Sequence, residues 1–325
     1  MGIKTGRRTA LRTGMRTGML FSDQNRNMEK LLKRIRYGRW REMTINLILM
    51  ACATYWFVFL YKFAFYCKTD SPLLVGKFNV NVTPVKYTEV ANKIFWISSG
   101  GHYKPNCTAL QNVAIIIPFR NRENQLAILM NNLHSILYRQ QIEYTVYVVE
   151  QADNRGFNKG KLYNVGYTEA VKRNHDCFVF HDVDLIPEND NILYGCIRSP
   201  MHLSRAIDKF NYKLPDKKLI GGVSAWRKKE FEMVNGWSNV FINWGGEDDD
   251  MSYRITANGL KIYRFQNSIS RYKMLRHPQA VVNTARFTLL EESFGRYKTD
   301  GLSSLRYVGV KITEFKLFTK ISVSL

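Results

Sequence analysis

The run MTINLILMACATYWFVFLY, Met43 to Tyr61, holds a single strongly polar residue, Asn46, and constrains the chain more than any other feature. About 20 apolar residues cross a bilayer as a helix, because a helix satisfies its backbone polar groups within the segment. A secretory signal would have a shorter apolar core and a small-residue cleavage site. Here Tyr55, Trp56 and Phe57 lead on towards Tyr66 as an interfacial aromatic belt does. The sequence therefore predicts a retained anchor over residues 43–66. Arginines and lysines crowd the segment before it, from Arg7 to Arg41. Basic flanks stay in the cytosol, so the chain beyond the anchor is expected in a lumen or outside the cell. The formal net charge of +21 is in large part local to that flank. A translocated domain meets no chromosome, which removes nucleic acid as a partner, and the tail could at most touch anionic lipids or sorting factors. Residues 1–42 show an RTGM echo and no periodic apolar face, and read as a disordered cytosolic tail.

Beyond the anchor the chain is long enough to bury one large core, and 45% hydrophobic content is ordinary for a globular protein. Cys52 lies in the anchor, which leaves Cys67, Cys107, Cys177 and Cys196 for an oxidising compartment, with three pairings possible. Asn81 and Asn106 head N-x-T glycosylation acceptors on the same side of the anchor. Residues 67–104, broken by Pro72, Pro84 and Gly100-Gly101, read as a stem and the start of the lumenal region. From there a catalytic domain is expected over residues 105–325.

Val113 to Ile117 is a β-branched strand that Pro118 is expected to stop, and Asn124 opens a segment with apolar residues at helical spacing. Strands at Tyr144 to Val149 and Cys177 to Phe180 enclose a helix at Lys161 to Arg173. That alternation predicts an α/β fold with parallel crossovers. No G-x-G-x-x-G follows the first strand, so a dinucleotide fingerprint is absent. In such sheets ligands bind beyond the carboxyl ends of the strands, where CFVFHDVDLIP places Asp182 and Asp184. Spaced by two, they share a side if strand geometry continues, and a divalent cation would relieve their repulsion while gathering phosphate oxygens. A turn whose aspartates cap the next element is the alternative. Arg120 and Arg122 follow the first strand on the same edge and suit a diphosphate. The run WGGEDDD from Trp244 supplies an aromatic platform, a flexible glycine pair and four carboxylates, and MLRH places a thioether and an imidazole, Met274 and His277, three residues apart.

With SPLLVG, VAIIIPFRNR, FNKGKLYNVG, DKF, GGVSA and DGLSSL in order around these motifs, the chain from about Cys67 resembles the β-1,4-galactosyltransferase family, glycosyltransferase family 7. The resemblance implies a GT-A nucleotide-sugar glycosyltransferase fold, a single lumenal domain behind one N-terminal transmembrane helix of a type II Golgi membrane protein. It pairs Cys67 with Cys107 and Cys177 with Cys196. It implies Mn²⁺ held by Asp184, Met274 and His277, with Phe119, Arg120, Arg122, Phe157, Asp182, Val183 and Lys209 at the UDP-sugar. Trp244 would sit on a loop closing over the donor, Asp248 would be the base for the acceptor 4-hydroxyl, and Glu247 and Asp249 would support the sugars. The implied reaction is inverting β-1,4 transfer to terminal GlcNAc, since GGEDD and the methionine before R-H depart from the xylose-directed branch.

Two departures matter. Vertebrate members carry a tyrosine where this chain has Leu219, and the loss of a ring leaves room for an N-acetyl group, as in invertebrate members that transfer N-acetylgalactosamine. UDP-GalNAc is thus the expected donor, with UDP-Gal as the alternative and dual use open, because one side chain in a pocket wall discriminates by only ~1–3 kcal/mol. The segment after His277 is also shorter than in vertebrate members, with Arg286, Phe287 and Leu290 expected at the acceptor's acetamide. A membrane-anchored sugar-binding protein without turnover is the competing class, and the intact Asp184, Asp248, Met274 and His277 argue against it.

Overall fold

The computed structural model describes residues 14–67, 71–278 and 280–325, and the chain divides into two compact units, Met1–Phe65 and Tyr66–Leu325. The first is built on one helix, α1 (Gly14–Phe65). It is the one described helix long and apolar enough to cross a membrane. The disorder expected of the basic segment is not what its described part shows: from Gly14 it is helical and continuous with the apolar run. No proline falls between residues 14 and 65, and Lys, Arg, Leu and Met are good helix formers. Residues 1–13 lie outside the described ones.

The second unit opens with α2 (Tyr87–Lys93) and β1 (His102–Tyr103). Val90, Ile94 and Ile97 are buried in its main core, so the segment expected as a stem belongs to the folded unit. There follow β2 (Asn112–Phe119), α3 (Glu123–Gln140), β3 (Glu143–Gln151), α4 (Lys159–Val171) and β4 (Cys177–His181). As the alternation predicted, β2 pairs parallel with both β3 and β4. Pro118 does not stop β2, which runs to Phe119. The ladder to β4 has already ended at Ile116, and a proline without its N–H is tolerated where a strand has lost a neighbour.

The chain continues through β5 (Leu185–Pro187), β6 (Met201–His202), β7 (Ala206–Ile207), β8 (Val223–Arg227), α5 (Lys228–Met233) and α6 (Glu247–Ala257). It ends with β9 (Tyr263–Arg264), β10 (Arg271–Met274), α7 (Arg286–Glu291), α8 (Ser293–Arg296), β11 (Val308–Glu314) and β12 (Thr319–Ser324). Among the described residues the large sheet has the order β11-β12-β3-β2-β4-β8-β6-β9, with β1 also on β3. The last strand, β12, lies inside it, parallel to β3. A second sheet, β5-β10-β7, stands apart.

Side chains alternate across a strand, so β2 feeds both faces. Val113, Ile115 and Ile117 pack with Leu129, Leu133 and Leu137 of α3, while Ala114 and Ile116 pack with Leu162 and Val165 of α4. Disulfides join Cys67 to Cys107 and Cys177 to Cys196, the pairing the resemblance implied.

Beneath α6 lies a buried ionic network. Arg254 Nε donates to Asp250 at 2.5 Å, and its Nη2 to Asp300 at 3.2 Å. Its Nη1 donates to the Asp300 carbonyl at 2.7 Å, and the Ser293 hydroxyl donates to Asp250 at 2.6 Å. Removing one partner strands a buried charge. Arg254→Ala should therefore destabilise the domain by about 3–5 kcal/mol in urea unfolding, far more than removal of the exposed Lys228–Glu232 pair, worth under ~1 kcal/mol.

Candidate active site

The strand geometry assumed for Asp182 and Asp184 does not continue past His181: a turn closes with Leu185 N–H donating to the Asp182 carbonyl at 3.3 Å. The two carboxylates consequently meet different partners. His181, below them, is held by the Asp182 carbonyl at 2.8 Å and the Tyr194 hydroxyl at 2.9 Å, and burial lowers its pKa to about 4. It is a neutral prop for the turn.

Asp184 faces the small sheet. Met274 of β10 is registered against Leu185, Leu275 N–H donates to the Asp184 carbonyl at 2.7 Å, and His277 Nε2 lies 2.9 Å from Asp184 Oδ2. His277 Nδ1 is engaged by the Pro278 carbonyl at 2.7 Å. The hydrogen bond to Asp184 raises the His277 pKa, against its partial burial. A carboxylate, a thioether and an imidazole Nε2 fixed by a bond at the other nitrogen suit a borderline divalent transition cation.

Asp182 faces the other way. Its Oδ1 accepts from the Tyr163 hydroxyl at 2.8 Å and lies 3.6 Å from Lys159 Nζ. The same ammonium is 2.8 Å from Glu247 Oε1 and 3.5 Å from Asp248 Oδ1. Burial alone would lower the Lys159 pKa, but Asp182, Asp248 and Glu247 outweigh it and raise it well above the ordinary value. Asp248 is pushed up to about 7, first by burial, with Lys159 opposing and Glu247, Asp182 and Asp249 adding to the rise. Neither Lys159 nor Tyr163 was singled out by sequence reasoning. Both stand in FNKGKLYNVG, four residues apart on one face of α4, and that spacing is the only sequence signal.

The acidic run opens α6 behind Gly245 and Gly246, with φ of 107° and 100°, values that favour glycine. Four acids in its first turn suit the helix dipole, yet they divide: Asp250 goes to the buried network, Glu247 and Asp248 face Lys159, and Asp249 is exposed. Asp248 Oδ2 lies against Gly221, where an added Cβ would be 2.1 Å away. That contact puts Asp248 two residues from Leu219, which is half-buried and whose carbonyl accepts from Arg264 at 2.7 Å.

The remaining predicted residues are placed as follows. Arg120 lies 5.2 Å from the Phe157 ring centroid and donates to the Arg155 carbonyl, and Arg122 donates to the Asn121 carbonyl at 2.9 Å. Phe119 is buried and Val183 half-buried. Lys209 is exposed over the Phe210 ring and, among the described residues, forms no ion pair with either aspartate. Half-exposed Trp244 and Phe287 flank Arg286, whose guanidinium lies 5.0 Å and 4.7 Å from their rings. Leu290 is half-buried, and Asn81 and Asn106 are exposed.

A mixed sheet with carboxylates grouped beyond its strand ends fits a glycosyltransferase domain of GT-A type, the class to which a solved structural neighbour belongs. Comparison with known proteins narrows this. Residues 67–197 match the N-terminal region of glycosyl transferase group 7, and residues 201–278 match the N-terminal domain of galactosyltransferase. The chain is 42% identical over 268 residues to β-1,4-galactosyltransferase 1 of Bos taurus, covering 80% of this chain and 66% of that one. It is 41% identical over 262 residues to β-1,4-galactosyltransferase 4 of Cricetulus griseus, covering 79% and 76%. A solved complex of mutant Drosophila β1,4-galactosyltransferase 7 with manganese, UDP-Gal and xylobiose superposes with a TM-score of 0.58 at 28% identity, covering 66% of this chain and 94% of that chain. The chain belongs to glycosyltransferase family 7, the β-1,4-galactosyltransferase family.

Lys159 is the cation that holds the Asp248 pKa down against its neighbours. Lys159→Met should raise that pKa by a further ~1 unit or more, visible as an upward displacement of the carboxyl band titration in infrared spectra of aspartate-labelled protein.

Proposed function

We propose that the protein is an inverting, Mn²⁺-dependent β-1,4-glycosyltransferase that moves GalNAc, or Gal, from its UDP-sugar to the 4-hydroxyl of a terminal GlcNAc on a glycoprotein or glycolipid. The observation that carries this is Asp248, a carboxylate with pKa about 7 held in one cluster with Asp182, beside the Asp184–His277 pair. A base with a pKa near the working pH combines the correct protonation state with driving force for proton transfer.

In this reading Asp184, Met274 and His277 hold Mn²⁺, which when bound neutralises charge on the departing diphosphate. Arg120, Arg122 and Lys209 face the phosphates, Phe119, Phe157, Asp182 and Val183 line the nucleotide-sugar, and Trp244 covers it. Glu247 Oε2, buried without a hydrogen-bond partner among the described residues, is available to a sugar hydroxyl. Asp249, Arg286, Phe287 and Leu290 receive the rest of the acceptor. Asp248 takes the 4-hydroxyl proton as that oxygen bonds to the anomeric carbon, and the bond to UDP breaks on the opposite face, turning α into β.

UDP-GalNAc is the donor favoured by Leu219, because a leucine takes less space than a tyrosine two residues before Gly221, which lies against Asp248. The apolar helix serves as a membrane anchor, and the same reading makes the protein a single-pass type II Golgi enzyme with its catalytic unit lumenal. The two disulfides and the exposed Asn81 and Asn106 agree with an oxidising, glycosylating compartment.

Two outcomes are expected. With Mn²⁺ and free GlcNAc, kcat/KM should favour UDP-GalNAc over UDP-Gal, and Leu219→Tyr should swing that ratio towards UDP-Gal by ~10–100-fold. Equal ratios in parent and variant would make Leu219 mere packing, and transfer from neither donor would sink the transferase reading. Asp248→Asn should lower kcat by ~10²–10⁴-fold. A raised aspartate pKa costs stability as pH climbs from its unfolded value towards about 7, so this variant should also melt higher than the parent at pH 8 and not at pH 4.

A further inference from the structure

One aromatic group beyond the donor and acceptor residues is unaccounted for. Phe294 of α8 is 76% exposed, and its ring lies 6.1 Å from Tyr253 of α6 at an interplanar angle of 70°. Tyr253 in turn lies 6.0 Å from Tyr297 at 77°. Both ends of this group are tied to the acceptor region. Tyr253 follows Asp249 by four residues in α6, one turn and about 6 Å further along the same face. Phe294 follows Phe287 by seven residues, and hydrogen bonds from Glu292 N–H to Thr288 and from Arg296 N–H to Glu292 carry the helical turn across the junction of α7 and α8. Residues i, i+3 and i+7 share a helix face, so Phe287, Leu290 and Phe294 form one apolar stripe.

The backbone beneath Phe294 is fixed. Ser293, its neighbour, is buried with its hydroxyl 2.6 Å from Asp250, and Arg296 donates to Asp300 at 3.2 Å. An exposed ring on a locked support is pre-organised for a ligand. A pyranose has C–H faces that stack on aromatic rings and a hydroxyl rim that tyrosines can meet, so aromatic platforms with polar edges fit sugars.

We propose that Phe294 and Tyr253 form a second carbohydrate subsite, which stacks the penultimate ring of the acceptor glycan while its terminal GlcNAc occupies the site at Asp248 and Asp249. The proposal rests on the acceptor reading given above. It makes the enzyme a reader of what lies under the terminal sugar, and the subsite supplies binding that a monosaccharide cannot use.

The test compares free GlcNAc with N,N′-diacetylchitobiose as acceptors of the full-length protein in detergent, with Mn²⁺ and saturating donor. The parent should show a KM for the disaccharide ~5–10-fold below that for GlcNAc. Phe294→Ala should erase that advantage while leaving kcat and KM for GlcNAc unchanged, and Phe294→Trp should retain it. An unchanged disaccharide advantage in Phe294→Ala overturns the subsite. So does an equal loss with both acceptors, which marks a structural role, or a change confined to sedimentation or liposome binding, which marks a second copy or a lipid surface as the occupant. Absence of any transfer by the parent overturns the transferase reading and the subsite together.

Discussion

Carboxylates gathered in a half-buried cleft repel one another, and the site depends on how that repulsion is offset. Three of them, Asp182, Glu247 and Asp248, come from two distant elements and share the Lys159 ammonium, while Asp184 is drawn aside by His277. One cation cannot neutralise three anions. Together with burial, which acts first, that deficit keeps the pKa of Asp248 elevated. Burial contributes the larger part, and Lys159 keeps the group from being driven wholly to its neutral form.

The other half of the site depends on strand register. Because β10 pairs with β5 so that Met274 opposes Leu185, the residues on either side of that pair, Asp184 and Leu275, are joined through the backbone. His277 is then brought to Asp184 by the short stretch that follows. A slip of one residue would turn Met274 to the opposite face. The small sheet is thus a jig that brings Asp184 to Met274 and His277, about 90 residues further along the chain.

Much of this was legible beforehand. Solid β-branched runs and helical spacing gave β2, α3, β3, α4 and β4 within a few residues, because each is buried on both faces or along a clear stripe. The even set of cysteines beyond the apolar helix, the separation of that helix and the grouping of acids beyond the strand ends also followed the sequence, while the pairing of those cysteines came from the family resemblance. Where it misled, a tertiary contact overrode a local signal. Pro118 looked like a stop because the missing neighbour beyond Ile116 cannot be read from β2 alone. Residues 67–104 looked like a stem because their breakers hide Val90, Ile94 and Ile97, whose burial depends on partners elsewhere in the chain. Asp182 and Asp184 looked like a pair on one side, and the turn that parts them is set by Leu275 and Lys159 from other elements. Lys159 escaped notice because its three partners are spread from residue 182 to 248, and the equal-looking acids of WGGEDDD gave no hint that Asp250 turns away to Arg254 and Ser293.

The placement of β12 bears on how such a molecule comes into being. It lies between β11 and β3, so the β3 edge from Tyr147 to Gln151, beyond the short pairing of β1 at Tyr144 and Thr145, has no neighbour until a strand much later in the chain docks on it. Strands, helices and the acidic run must wait as a partly assembled sheet with an open edge, a state prone to pairing with the wrong partner. Completion of the sheet is therefore a long-range closure, made only when β12 reaches β3 across most of the folded unit.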